Sequence, residues 1–197
     1  MTIAHGLNAV PEMIISKNRD TSSNWDIYHP AAGNTHRLKI NSTDAREDQD
    51  GVWADTDPTS TVFSQKGNGT WHAVGGKVIN YCFASVDGYS RVGSYEGTGD
   101  ANGPFIYTGF RPEMVIVKNI DSAGNSWHVM DTARNTFNVV DNFILPNSAS
   151  AEDAGSNTNF DLLSNGFKLR ATSQNDSGDT FMYIAFAEQP FKYANAR

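Results

Sequence analysis

With 197 residues, 39% of them hydrophobic and 19% charged, the chain is long enough to bury one sizeable core or to form two domains of about a hundred residues each. Its 15 Lys and Arg against 22 Asp and Glu leave a net charge of −7; with no Lys/Arg cluster to offset it, that charge repels phosphate backbones and argues against a nucleic-acid partner. A lone cysteine excludes an intrachain disulfide, and no run approaches the roughly 18 apolar residues that cross a bilayer, so membrane insertion is not expected.

The opening Met1-Thr2-Ile3-Ala4-His5-Gly6 has neither a basic n-region nor an apolar h-region, which predicts a chain with no secretion signal of its own. Short β-branched and aromatic runs then follow one another between clusters of Gly, Asn, Asp and Pro. They predict strands over 13–16, 25–28, 37–40, 78–84, 105–108, 114–118, 127–130, 143–145, 167–171 and 181–187. Helix is limited to a turn or two at 44–48 and 149–154. The glycine-rich stretch 87–105 carries Tyr89, Val92 and Tyr95 at strand-like positions, which points to an ordered crossing between two halves. Asn165-Gly166, between Phe160-Asp161-Leu162-Leu163 and Phe167-Lys168-Leu169-Arg170, reads as a hairpin turn. Residues 167–171 alternate apolar with Lys168 and Arg170, giving one wet face. The run 181–187 is apolar at every position, as a strand covered on both faces would be. The class is all-β, an antiparallel β-sandwich of the jelly-roll or concanavalin kind.

An internal echo organises these strands. Pro11-Glu12-Met13-Ile14-Ile15-Ser16-Lys17-Asn18 returns 101 residues later as Pro112-Glu113-Met114-Val115-Ile116-Val117-Lys118-Asn119. Trp25 answers Trp127, Asn34-Thr35 answers Asn135-Thr136, and Tyr81-Cys82-Phe83-Ala84 answers Ile184-Ala185-Phe186-Ala187. Residues 1–87 and 88–197 are therefore expected to be two copies of one unit within a single pseudo-twofold sandwich, to which 191–194 could add a strand. In that arrangement Trp25, Trp127, Met13, Met114, Phe83 and Phe186 are all core residues, and Cys82, twin of Ala185, is a small buried one.

No catalytic pattern stands out. The five histidines lack metal-ligand spacing, Ser90 lacks the second glycine of a nucleophile elbow, and the glycines at 97–103 precede a strand where a dinucleotide fold needs a helix. The acids Glu47-Asp48 and Glu152-Asp153 are twins, which weighs against a dedicated catalytic pair. Calcium is the one cofactor that Asp55-Thr56-Asp57 or Asp176-Ser177-Gly178-Asp179 could take, although neither has a bidentate Glu at EF-hand spacing. The candidate ligand-binding residues are Trp53, Asp55, Asp57, Trp71 and His72. Trp53 and Trp71 have no twins and lie in polar loops, where an indole suits stacking on a sugar or anchoring a partner; the alternative is that each plugs an edge of the sandwich.

Several runs together resemble a known group of proteins: His5-Gly6-Leu7 before Pro11-Glu12-Met13-Ile14-Ile15, then Tyr81-Cys82-Phe83-Ala84 with Gly88-Tyr89-Ser90 and Gly93-Ser94-Tyr95. Gly103-Pro104-Phe105-Ile106-Tyr107-Thr108-Gly109-Phe110-Arg111-Pro112, Asp131-Thr132-Ala133-Arg134-Asn135 and Ser164-Asn165-Gly166-Phe167-Lys168-Leu169-Arg170-Ala171 complete the set. Over essentially the whole chain these are similar to a domain of unknown function in tail-fibre and other virion proteins of tailed bacteriophages, marine ones especially. The resemblance implies a concanavalin-like or SPRY-like sandwich, a virion location, other virion proteins and host-surface glycan or protein as partners, and a homo-oligomer, by preference a trimer. It brings no catalytic residues. In that group the domain usually ends a longer fibre, so this chain is either a small stand-alone virion protein or an excised piece. The expected function is a non-enzymatic attachment module, with a capsid decoration or connector protein as the alternative and a polysaccharide depolymerase as a third.

Overall fold

The computed structural model describes residues 1–49, 52–66, 76–154 and 158–189. The chain divides into two compact units, Met1–Ala84 and Ser85–Arg197. Every strand pairing in them is antiparallel, and the described residues contain no helix.

The first unit holds β1 (Thr2–Ala4), β2 (Met13–Asn18), β3 (Trp25–Tyr28), β4 (His36–Lys39), β5 (Glu47–Asp48), β6 (Val62–Ser64) and β7 (Val78–Phe83). Five of them form one sheet in the order β5-β4-β3-β2-β7, and β1 pairs with β6. The run Met13-Ile14-Ile15 extends because branched side chains favour the pleat. It stops at Asn18, whose Oδ1 accepts the amides of Asp20 and Thr21 and so turns the chain into β3. Ile14 and Tyr28, neighbours across β2 and β3, meet Val52, Trp53 and Phe63 in the buried core.

The second unit holds β8 (Ser90–Glu96), β9 (Phe105–Tyr107), β10 (Pro112–Asn119), β11 (His128–Asp131), β12 (Asn142–Phe143), β13 (Asp153–Ala154), β14 (Phe160–Leu163), β15 (Gly166–Leu169) and β16 (Thr180–Ala187). A four-stranded sheet, β11-β10-β16-β8, packs through Val115, Val117, Phe181, Tyr183 and Ala185 onto Ile106, Phe160, Leu162, Phe167 and Leu169 of a three-stranded sheet, β14-β15-β9. This is a β-sandwich core. Tyr95 stacks on Phe181 at 5.1 Å and Phe167 meets Tyr183 edge-on at 5.3 Å, contacts worth about 0.5–1.5 kcal/mol each beyond the area they bury. β16 is central in its sheet, and Met182 and Ile184 on its other side are buried as well, as a strand apolar at every position requires.

Three pairs of residues aligned by the sequence echo make comparable contacts, each in its own unit. Ile14 lies opposite Tyr28 and Cys82, while Val115 lies opposite Met130 and Ala185. Asn119 Oδ1 accepts the amides of Asp121 and Ser122, as Asn18 does those of Asp20 and Thr21. Lys17 and Lys118 each donate to a carbonyl in the loop that follows, Ser23 and Asn125.

Some expectations are corrected. Where helical turns were expected, Glu47–Asp48 and Asp153–Ala154 pair as strands with β4 and β12; a single helical turn lacks the cooperative support that pairing supplies. The hairpin turn is Ser164-Asn165, with Gly166 inside β15 opposite Leu163. Of the six echoed core residues only Met13 and Trp127 are fully buried. Met114, Phe83 and Phe186 are half-buried, and Trp25 is 36% exposed because it heads β3 at the end of the hairpin, beside Lys17. Cys82 is half-buried and faces a cavity. The extra strand expected at 191–194 lies outside the described residues.

Candidate functional site

Of the loop residues singled out in the sequence, Trp53 is buried, while Asp55 and Asp57 are exposed. Trp53 is only 2% exposed and meets Tyr28 edge-on at 5.8 Å. Ala54 and Asp55 follow it with φ of 55° and 48°, a left-handed turn that swings the indole inward. The loop is polar, yet its Trp is a core residue with no ring face for a sugar. Asp55 is exposed, and Asp57 bonds the Tyr28 hydroxyl. Burial, with the Asp57 charge adding to it, pushes the Tyr28 phenol up to about 12. Asp57 thus fastens its loop to the sheet. Trp71 and His72 lie outside the described residues.

The acids are also engaged. Arg37 joins Asp26 and Glu47 at 3.0 Å each, and Lys39 joins Glu47 at 3.1 Å and Asp44 at 2.6 Å. Burial lifts the Asp26 carboxyl to about 6 in spite of Arg37. Burial acts in the same direction on Glu47, but hydrogen bonds from Lys39 and Arg37 overcome it and hold that group below the usual range. Glu152 pairs with Arg134. Asp179, in the second calcium candidate, accepts from Asn119 Nδ2 and Ser122 Oγ at 2.7 Å, bonds that hold its carboxyl low. Among the described residues no cluster of three or more His, Cys, Asp or Glu is placed to hold a metal.

A cavity of about 290 Å³ in the first unit brings His5, Asn80 and Cys82 beside Phe63 and Leu7. It is not a nucleophile site as it stands. His5 Nδ1 accepts the Leu7 amide and Nε2 donates to the Thr59 carbonyl, so neither nitrogen is free to take the thiol proton, and burial raises the Cys82 thiol.

The solvent side of the three-stranded sheet in the second unit is different. Its pairing register sets Leu162, Phe167 and Ile106 in one row, all buried in the core. Side chains alternate along a strand, so the rows on either side face outward: Asp161, Lys168 and Phe105 in one, Leu163, Gly166 and Tyr107 in the other. Phe105 is 45% and Tyr107 63% exposed. Two residues apart on one strand, they stand about 7 Å from each other. Gly166 makes room for them: a Cβ there would run into the Ile106 carbonyl oxygen and come within 2.8 Å of Phe105 Cζ.

Charged groups border this aromatic pair. Lys168 Nζ donates to the Gly103 carbonyl at 2.6 Å. Arg170, on the same side as Lys168, touches Asp161 through Nε at 3.3 Å, and its side chain is 44% exposed. On the far side Asn138 brackets β14, its Nδ2 donating to the Leu162 carbonyl and its Oδ1 accepting the Leu162 amide. Phe137 beside it is 82% exposed. Strands carry Asp161, Leu163, Gly166, Lys168, Phe105 and Tyr107, Arg170 directly follows β15, and the rings are held by backbone pairing at a sheet edge. Such a surface can stack flat ligands and donate hydrogen bonds. Asp161, its one acid, is tied to Arg170. The signal was present in Phe105-Ile106-Tyr107, an alternation with the aromatic residues on the side away from the core, but without the register nothing shows that Lys168 and Arg170 share their face.

A family model described as a domain of unknown function, DUF7483, matches residues 1–190. No curated protein and no solved structure matches the chain.

Proposed function

The chain belongs to the DUF7483 family, and from that footing we propose that it is a non-enzymatic attachment module that binds a surface glycan through the outer face of β14-β15-β9. The observation that carries this reading is the pair Phe105 and Tyr107, two exposed rings at fixed spacing on a paired strand. Isolated exposed apolar residues are ordinary, but aligned aromatic rings beside hydrogen-bond donors are what the apolar face and hydroxyl rim of a sugar require. On this face the one acid, Asp161, is paired with Arg170, so the face itself offers no carboxyl pair of the kind glycoside cleavage uses. The virion setting, the homo-oligomer and the other virion subunits as partners rest on the resemblance of the sequence runs alone.

The test is adsorption of the purified protein to host cells and to their isolated polysaccharide. Tyr107→Ala and Phe105→Ala should each weaken binding by about 1–3 kcal/mol with melting temperature nearly unchanged, and no reducing ends should appear. Undiminished binding by both variants removes this face from the function. Binding to purified capsids in place of cells would favour the decoration reading.

A further inference from the structure

We infer that the glycan is acidic, its carboxylate or sulfate groups taken by Arg170 and Lys168; this rests on the attachment reading and narrows its ligand class. The central face carries two cations and one acid, a net +1 on a chain of net −7. The acid does not neutralise both cations. Asp161 meets Arg170 through Nε at 3.3 Å while the arginine side chain stays 44% exposed, so guanidinium N–H groups remain open to an oxyanion. Lys168 spends one N–H on Gly103 and keeps two. Lys168 is the cross-strand neighbour of Phe105, which sets cationic donors beside a stacking ring. The charged groups at this spot are thus mainly donors. A neutral sugar offers hydroxyls that both give and accept, whereas an oxyanion only accepts and is drawn by the local charge. Asp161 anchors the arginine and also screens it, so removing its charge gives a prediction of opposite sign to that for removing the arginine.

The experiment uses the full chain and three immobilised probes, polygalacturonate, dextran sulfate and neutral dextran, each at low and high salt. The expected result is binding to at least one polyanion that weakens with salt, and weak or no binding to dextran. Arg170→Gln and Lys168→Gln should each reduce polyanion affinity at least about fivefold. Asp161→Asn should raise it, a gain that loss of a merely structural contact would not produce. Preference between carboxylated and sulfated probes identifies the oxyanion. Equal, salt-independent binding to dextran that Arg170→Gln leaves intact while Tyr107→Ala abolishes it would overturn the acidic class and preserve the attachment face. Failure of the folded wild-type protein to bind any of the three, or any host polysaccharide, would overturn both.

Discussion

A buried histidine makes the second unit sensitive to acid. His128 lies under Phe143, 4.7 Å between ring centres, and is 7% exposed. Burial, with the Lys118 charge adding to it, drives its imidazole down to about 4 against an ordinary 6.5. The folded state therefore holds the proton less tightly than the unfolded chain. Stability from this residue is complete above about pH 6.5 and is lost as pH falls through about 4, at most some 3 kcal/mol. His128→Phe should flatten urea-denaturation stability across that window; an unchanged acid slope would assign it to another group. Trp53 makes a second prediction at this scale. As a core indole its change to Ala should cost about 3–5 kcal/mol, read from the shift in denaturation midpoint, whereas an indole used only for binding would leave stability unmoved.

At the scale of elements, β9 is the informative strand. Three residues long, it sits at a sheet edge and carries both exposed rings, and β15 is its one strand partner among the described residues. Gly166 is the residue that lets the two approach. Gly166→Ala should shift β9 outward, cost about 1–3 kcal/mol and weaken glycan binding, although residue 166 need touch no ligand. Wild-type stability and binding in that variant would show that β9 does not depend on this close approach. The hairpins β2–β3 and β10–β11 illustrate the opposite situation, in which the turn is locally specified. Asn18 and Asn119 each close the turn with their own side chain, and both are nearly fully buried.

At the scale of the whole molecule, one residue in each unit, Asp26 in the first and His128 in the second, answers acid in the opposite way to the other. Asp26 in the first has a folded pKa of about 6, above its ordinary 3.8, because burial outweighs Arg37. Its folded state binds the proton more tightly, so its contribution to stability grows as pH falls from about 6 toward 3.8. His128 contributes less stability over the same interval. Hydrogen exchange should therefore show protection rising in β3 and β4 and falling in β10 and β11 between pH 6.5 and 4.5, after correction for the intrinsic exchange rate. Parallel change in both units would contradict this account.

The sequence by itself determined the all-β class and most of the strands, since branched and aromatic runs between turn residues carry that information locally. It also determined that 181–187 is covered on both faces, and it marked the hairpin between 163 and 166 to within one residue. It could not determine which indoles are buried. Trp53 sits in a run as polar as a surface loop, and only the left-handed turn at Ala54 and Asp55, with Tyr28 and Phe63 waiting across the core, turns it inward. Nor could it assemble the candidate face. Phe105 and Tyr107 are separated from Lys168 and Arg170 by some sixty residues of chain, and strand register, a long-range property, is what sets them side by side.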